Sequence, residues 1–215
     1  YAALGQVHLA IEYYQSALAI AREIGDRRGE CVRLGSLGDA LSDLGQVEQA
    51  IDYYHQSLDV SRRAGSSRNE GNILAGLGQA HALLGQMQPA FDCLQQSLSI
   101  ACRIGNRRGE GHVLGTMGST YLSLGQVQLP PDLCQQALAT AREIGDRRRE
   151  SKHLGSLGLA YLELGQHEQA IDHIQQALAI AREIGARRCE GHHLGSLGRA
   201  FTRLGLVEQA VDHYQ

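Results

Sequence analysis

DRRGECVRLGSLGDALSDLGQVEQAIDYYHQSLDVSRRAG, residues Asp26–Gly65, holds the plan of the whole chain. Leu34, Leu37, Leu41 and Leu44 recur at spacings of three and four, the stripe of a helix. Gly45 stops that helix. Val47, Ala50, Ile51, Tyr54, Leu58 and Ser61 make a second stripe, closed by Gly65. Gly25 ends the preceding element, and Asp26 is a good N-cap for the next. Each stripe predicts a helix of about 17 residues, roughly 26 Å long at 1.5 Å per residue. Connections of only a few residues fold the two helices antiparallel.

The tripeptide Leu44-Gly45-Gln46 inside this stretch returns at Leu4-Gly5-Gln6, Leu84-Gly85-Gln86, Leu124-Gly125-Gln126 and Leu164-Gly165-Gln166, always at the same interval. Leu204-Gly205-Leu206 changes only the third residue. A fixed period of this size, about 40 residues, marks a stacked-repeat array, in which one repeat buries its apolar face against the next. Helices are expected near 27–44, 47–64, 67–84, 87–104, 107–124, 131–144, 147–164, 167–184 and 187–204, with partial ones at each end. The reading is a single array over 1–215, about five 40-residue repeats, cut within a repeat at both ends. Tyr1 has the phase of Tyr161 and Phe201, and Gln215 that of Gln175. Ends without polar caps leave apolar faces open, so self-association through the array ends is expected.

Composition narrows the function classes. The formal net charge of −3 argues against a general electrostatic grip on nucleic acid. No run approaches the roughly 18 apolar residues of a membrane span, and no charged-then-apolar leader opens the chain. The five cysteines, Cys31, Cys93, Cys102, Cys134 and Cys189, fall at different phases and form no Cys-x-x-Cys pair. They are expected as free, buried or half-buried thiols in a reducing cytoplasm.

Glycine is placed oddly. Gly35, Gly38, Gly115, Gly118, Gly155, Gly158, Gly195 and Gly198 lie inside first helices, each costing about 1 kcal/mol against alanine. Close packing is the expected reason, a missing side chain letting a neighbouring backbone approach. The small residues at positions 17, 57, 97, 137 and 177 carry the same message for the second helices.

Leu34, Leu37, Gly38, Leu41, Ala50, Tyr54 and Ser57, and again Leu154, Leu157, Gly158, Tyr161, Ala170, Ile174 and Ala177, stand at the offsets of the tetratricopeptide repeat, which this chain resembles throughout. The period here is longer than the family's, which is about 34 residues. The insertion lengthens the end of the second helix and the start of the next, around Ala141–Glu150. Stretches such as Ala181-Arg182-Glu183-Ile184-Gly185 and Gly155-Ser156-Leu157-Gly158 look like the 40-residue variant of spindle-orientation adaptors and bacterial signalling proteins. The resemblance implies an all-α fold, a right-handed superhelical solenoid of antiparallel helix pairs. Two departures stand out. The family's terminal proline has no counterpart at Arg62, and Pro130-Pro131 replaces the Ala-Ile of Ala50-Ile51. That second helix should start late or bend. Pro89 lies nearer its helix start and is easier to accept.

In this family the first helices line the concave face. That implies groove-facing positions 32, 35, 36, 39, 42 and 43 and their relatives in each later repeat. One row reads Asp39, Gln79, Ser119, Leu159, Arg199. A second reads Asp43, Leu83, Ser123, Glu163, Arg203, and a third Val32, Asn72, His112, Lys152, His192. The rows vary over a constant scaffold, as a recognition surface requires, though any solvated face also drifts. They run from acidic Asp39 and Asp43 to basic Arg199 and Arg203, a gradient that could orient a peptide within a screening reach of about 10 Å.

Catalytic and metal chemistry find no foothold. His192 and His193 are adjacent on a helix, about 100° apart, and no His-x-x-x-His pair exists for zinc. His153, His192, His193 and His112 read as exposed or groove-lining residues. No Gly-rich phosphate loop precedes a Lys and Ser or Thr, and no Ser or Cys lies in a nucleophile motif. The pairs Arg27-Arg28, Arg107-Arg108, Arg147-Arg148 and Arg187-Arg188 could form a phosphate-facing ridge, or be solvated beside Glu30, Glu110, Glu150 and Glu190. The expected function is a scaffold, not an enzyme, without cofactor or metal, that captures a protein or peptide ligand in its concave groove. The alternative is a sensor segment of a larger signalling ATPase or protease.

Overall fold

The computed structural model describes residues 2–123 and 130–205 in backbone and 6–122 and 131–205 in side chains. Among them lie ten helices and no strand: α1 (Ala2–Glu23), α2 (Arg27–Asp43), α3 (Val47–Arg63), α4 (Ser67–Leu83), α5 (Met87–Arg103), α6 (Arg107–Ser123), α7 (Pro130–Glu143), α8 (Arg147–Glu163), α9 (His167–Glu183) and α10 (Arg187–Arg203). The even-numbered helices are the first of each pair. The nine expected spans match α2 to α10 within about a residue, the tolerance of any helix boundary. At the N-terminal end α1 instead runs on through Leu4-Gly5-Gln6, where the repeat phase places a break.

Leu44-Gly45-Gln46 has a physical reason to recur. Leu44 is the C-cap, and Gly45 follows in the left-handed region at φ +78°, which glycine enters without steric cost. The Gly45 N–H bonds Ser42 O at 3.0 Å, and the Gln46 N–H reaches back to Leu41 O at 2.9 Å. These two bonds are a Schellman closure. Gln46 then serves as N-cap of α3, its carbonyl accepting from Ala50 N at 3.0 Å. Three residues thus end one helix and begin the next. At the other junction Asp26 caps α2 as expected, accepting from Gly29 N at 2.9 Å. Pro89 is the third residue of α5, inside the first turn, where no intrahelical bond is lost. The expected late start at Pro130-Pro131 would be decided at residues 124–129, and the second helix expected at the C-terminal end lies at 206–215. Both are outside the described residues.

The chain divides into two compact units, Tyr1–Gly109 and Glu110–Gln215. In the first, successive helices pack in order from α1 to α5, and the first helices α2 and α4 also touch. Cys31, Leu41, Val47, Ala50, Tyr54, Leu58, Leu74 and Leu77 form its main core. In the second, α7, α8, α9 and α10 pack in order, with α8 against α10. Leu154, Leu157, Cys134 and Ala177 gather in one cluster, and Ile174, Leu178, Leu197 and Phe201 in the next. The small second-helix positions do allow close approach. Ser57 Oγ donates to Cys31 O at 2.7 Å and Ser97 Oγ to Gly71 O at 2.6 Å. Ala137 and Ala177 are fully buried.

The glycines correct one expectation. What fills most of their notches is chiefly a side chain, not a backbone. A Cβ on Gly38 would stand 2.6 Å from Tyr54 Cε1, one on Gly78 2.6 Å from Leu94 Cγ, and one on Gly158 2.5 Å from Ile174 Cγ1. Backbone approaches closely only beside these, with Ala170 O 2.9 Å from the Gly158 position. A Cβ on Gly195 would meet nothing within 4 Å.

Candidate functional site

Helical geometry sends the apolar stripe of each first helix inward and the three variable rows outward. Val32, Asp39, Asp43, Asn72, Gln79 and Leu83 are exposed in the first unit. His112, Ser119, Lys152, Glu163, His192, Arg199 and Arg203 are exposed in the second, and Leu159 is half-buried. The side chain of Ser123 is outside the described residues.

Neighbouring first helices leave a cavity between them. In the first unit, Val32, Gly35, Ser36 and Asp39 of α2 face Asn69, Asn72 and Ile73 of α4 across about 200 Å³. In the second, Arg148, Lys152, Gly155 and Ser156 of α8 face Arg188, Cys189, His192 and His193 of α10 across about 390 Å³. The two cavities sit at the same phase of the repeat. The structure therefore brings Val32, Asp39 and Asn72 to one cavity, and Lys152 and His192 to the other. It leaves Gln79, His112, Ser119, Leu159, Glu163, Arg199 and Arg203 out of both.

Three of the expected charges are already engaged. Arg203 grips Glu163 with one nitrogen, 2.9 and 3.0 Å from the two carboxylate oxygens, and donates with the other to Leu162 O at 3.0 Å. Each therefore holds its partner, and Arg203 adds little to a basic end of the row. Asp39 accepts from the Tyr54 hydroxyl at 2.7 Å. Although the residue as a whole is exposed, the protein packed around its carboxyl strips it of part of its water and pushes it above the usual range; the Tyr54 bond opposes this and Asp43 adds to it. Arg199 is exposed on the outward row.

The histidines depart from the expectation. His153 and His193 are buried, at 7% and 2% exposure, rather than exposed, although His193 also lines the second cavity. Each ring enters a notch on the preceding first helix: His153 against Gly115, His193 against Gly155. Ser151 Oγ donates to Ala177 O at 2.9 Å, so it accepts from His193 Nε2 at 3.0 Å. His153 Nε2 and His193 Nδ1 are buried without a partner. Burial pushes both imidazoles down to about 4. His192 and His193 stand edge to face, centroids 6.0 Å apart. No group of three His, Cys, Asp or Glu side chains converges on a metal position among the described residues. All five cysteines are free. Burial raises the Cys134 thiol to about 12, whereas Cys102 is exposed, against expectation.

The paired arginines split their roles, which their sequence hides. Arg147 bonds Glu150 at 2.6 Å and Arg187 bonds Glu190 at 2.6 Å. Arg142 and Arg182, from the preceding helices, reach the same two carboxylates at 2.9 and 3.0 Å. Burial pushes Glu150 up, but the bonds from Arg142 and Arg147 outweigh it and hold the carboxyl below its usual range. Arg148 and Arg188, one residue further on, have turned about 100° to the second cavity. They take no carboxylate there.

Antiparallel helix pairs at a constant period, presenting variable residues between successive first helices, define a helical-repeat scaffold. A tetratricopeptide repeat model matches residues 1–59, 30–103, 110–183 and 153–215, and the chain belongs to that family. No curated protein matches the sequence. Solved structures share the fold at low identity. BtubC (BKLC) from P. vanneervenii superposes with TM-score 0.80 at 16% identity, over 96% of this chain and 87% of that one. A Rap protein complexed with competence and sporulation factor gives 0.78 at 14%, over 97% and 63%. The signal transduction ATPase with a tetratricopeptide repeat sensor, PH0952 from Pyrococcus horikoshii, gives 0.76 at 19%, over 97% of this chain but 34% of that protein. No helix among the described residues is long and apolar enough to cross a membrane.

Proposed function

We propose that this chain is a non-catalytic scaffold that binds a peptide or protein segment between its first helices. The observation that carries the reading is the pair of cavities at one repeat phase. Their walls share a glycine and a serine, Gly35 and Ser36 in one and Gly155 and Ser156 in the other, while Val32 and Asn72 give way to Lys152 and His192. A fixed frame with a changing lining suits recognition of an extended segment, residue by residue. The likeness to a Rap protein complexed with competence and sporulation factor supports it. A second reading, a sensor segment of a larger signalling ATPase, draws on the likeness to PH0952.

Selection of a displayed random-peptide library on this chain tests the proposal. Ser36→Trp and Ser156→Trp each fill one cavity. Enriched peptides that lose about tenfold or more in affinity with either substitution support it. No enrichment, or peptides indifferent to both, overturns it.

A further inference from the structure

The cavity between α8 and α10 holds three cations with no carboxylate to neutralise them: Arg148, Lys152 and Arg188. The acids of the same helix turns are already committed. Glu150 is held by Arg142 and Arg147, Glu190 by Arg182 and Arg187. Arg148 and Arg188 are each the second residue of their helix, where the helix dipole adds further positive potential. Like charges left together cost free energy unless something compensates them. The Ser156 hydroxyl and the His192 ring complete a polar rim. The equivalent cavity of the first unit carries Val32 and Asn72 at the Lys152 and His192 positions, and a carboxylate, Asp39. The two arginines recur with the repeat, as Arg28 and Arg68 on a neighbouring pocket of the first unit. What is particular to the α8–α10 cavity is that Lys152 joins them and no carboxylate lines it.

We infer that the α8–α10 cavity receives a phosphate monoester carried on a peptide side chain. A single carboxylate brings one charge to three cations. A phosphorylated side chain brings about −1.5 to −2 and three acceptor oxygens, and the forked guanidinium of arginine matches such oxygens two at a time. The cavity opens between first helices, so the segment bearing the phosphate lies along the surface named in the proposed function, on which this inference rests.

The test is a set of NMR titrations of the full chain, following backbone amides. The probes are acetyl-Ala-phosphoSer-Ala-amide, its unphosphorylated parent, its Glu counterpart and inorganic phosphate. The phosphopeptide should shift amides of α8 and α10 and bind at least about tenfold more tightly than either other peptide. Lys152→Gln and Arg188→Gln should each weaken it severalfold. Arg187→Gln, which removes a cation already paired with Glu190, should leave it unchanged. Unaltered thermal melting of these surface variants shows that each remains folded. No shift in α8 and α10, or shifts that survive Lys152→Gln and Arg188→Gln, overturn the inference. Equal binding of inorganic phosphate and phosphopeptide overturns the peptide assignment. Library peptides sensitive to Ser36→Trp would stand through any of these failures, so loss of the phosphate site and loss of the scaffold reading are separable.

Discussion

The ring of His193 occupies the space that a side chain on Gly155 would need. A Cβ built there would lie 2.5 Å from Cε1 and 2.8 Å from Nδ1. The ring cannot simply step aside, because Ser151 Oγ holds its other nitrogen at 3.0 Å and is itself anchored to Ala177 O. A glycine that weakens its own helix thereby admits the first helix of the next repeat.

That relationship separates glycines of similar sequence. Gly155→Ala gains about 1 kcal/mol of helix propensity but overpacks the ring, at about 1–3 kcal/mol, and should lower the urea midpoint. Gly195→Ala meets nothing within 4 Å and should raise stability by about 0.5–1 kcal/mol. Equal shifts of either sign would show that the notch does not govern the cost.

Acid should loosen the second unit. His153 and His193 titrate near 4 in the fold, depressed by burial from an ordinary 6.5. In that interval the unfolded chain binds more protons, so stability rises with pH. The stabilising contribution is complete above about pH 6.5 and is lost as pH falls through the interval towards 4. Asp39, raised by burial, acts in the opposite sense in the first unit. Melting temperature against pH, compared with that of His153→Gln/His193→Gln, isolates the imidazoles. An identical slope in the variant would refute their part.

Much of this was legible locally. A Schellman closure needs only Gly45 and its neighbours, and a helical stripe needs only the chain itself. Helix ends and the exposed rows were therefore readable from Asp26–Gly65. What stayed hidden depends on partners a whole repeat away. Nothing in the sequence says that Arg203 will spend its charge on Glu163, or that His153 and His193 will be swallowed by glycines one repeat back. Arg147 and Arg148 read alike until the helix turns one toward Glu150 and the other toward a cavity.

Leu157 is 1% exposed and belongs to the core of the second unit. Leu157→Ala should cost about 2–5 kcal/mol. Ser36 lines the cavity of the first unit and is only half-buried, so Ser36→Ala should stay within about 0.5 kcal/mol. Denaturant unfolding of both distinguishes scaffold from surface; comparable losses would mean that the facing of the first helices is wrong.

Tyr54 joins three helices of the first unit. It stands on α3, and its ring fills the notch of Gly38 on α2 and that of Gly76 on α4, with Cε1 at 2.6 and 2.9 Å from the two Cβ positions. Its hydroxyl donates to Asp39 at 2.7 Å. Ring and hydroxyl should therefore separate by mutation. Tyr54→Phe keeps the ring and loses one bond to a partly solvated carboxylate, about 0.5–1.5 kcal/mol. It also removes the interaction that lowers the Asp39 carboxyl against burial and Asp43, so that carboxyl should titrate higher still. Tyr54→Ala empties both notches and should cost about 3–5 kcal/mol, as aromatic truncations in cores do. Carbon-detected NMR titration of Asp39 and denaturant unfolding measure the two effects independently. An Asp39 titration unmoved in Tyr54→Phe would show that the hydroxyl bond is not what steadies the carboxylate. A small loss in Tyr54→Ala would show that the two glycine notches collapse without the ring.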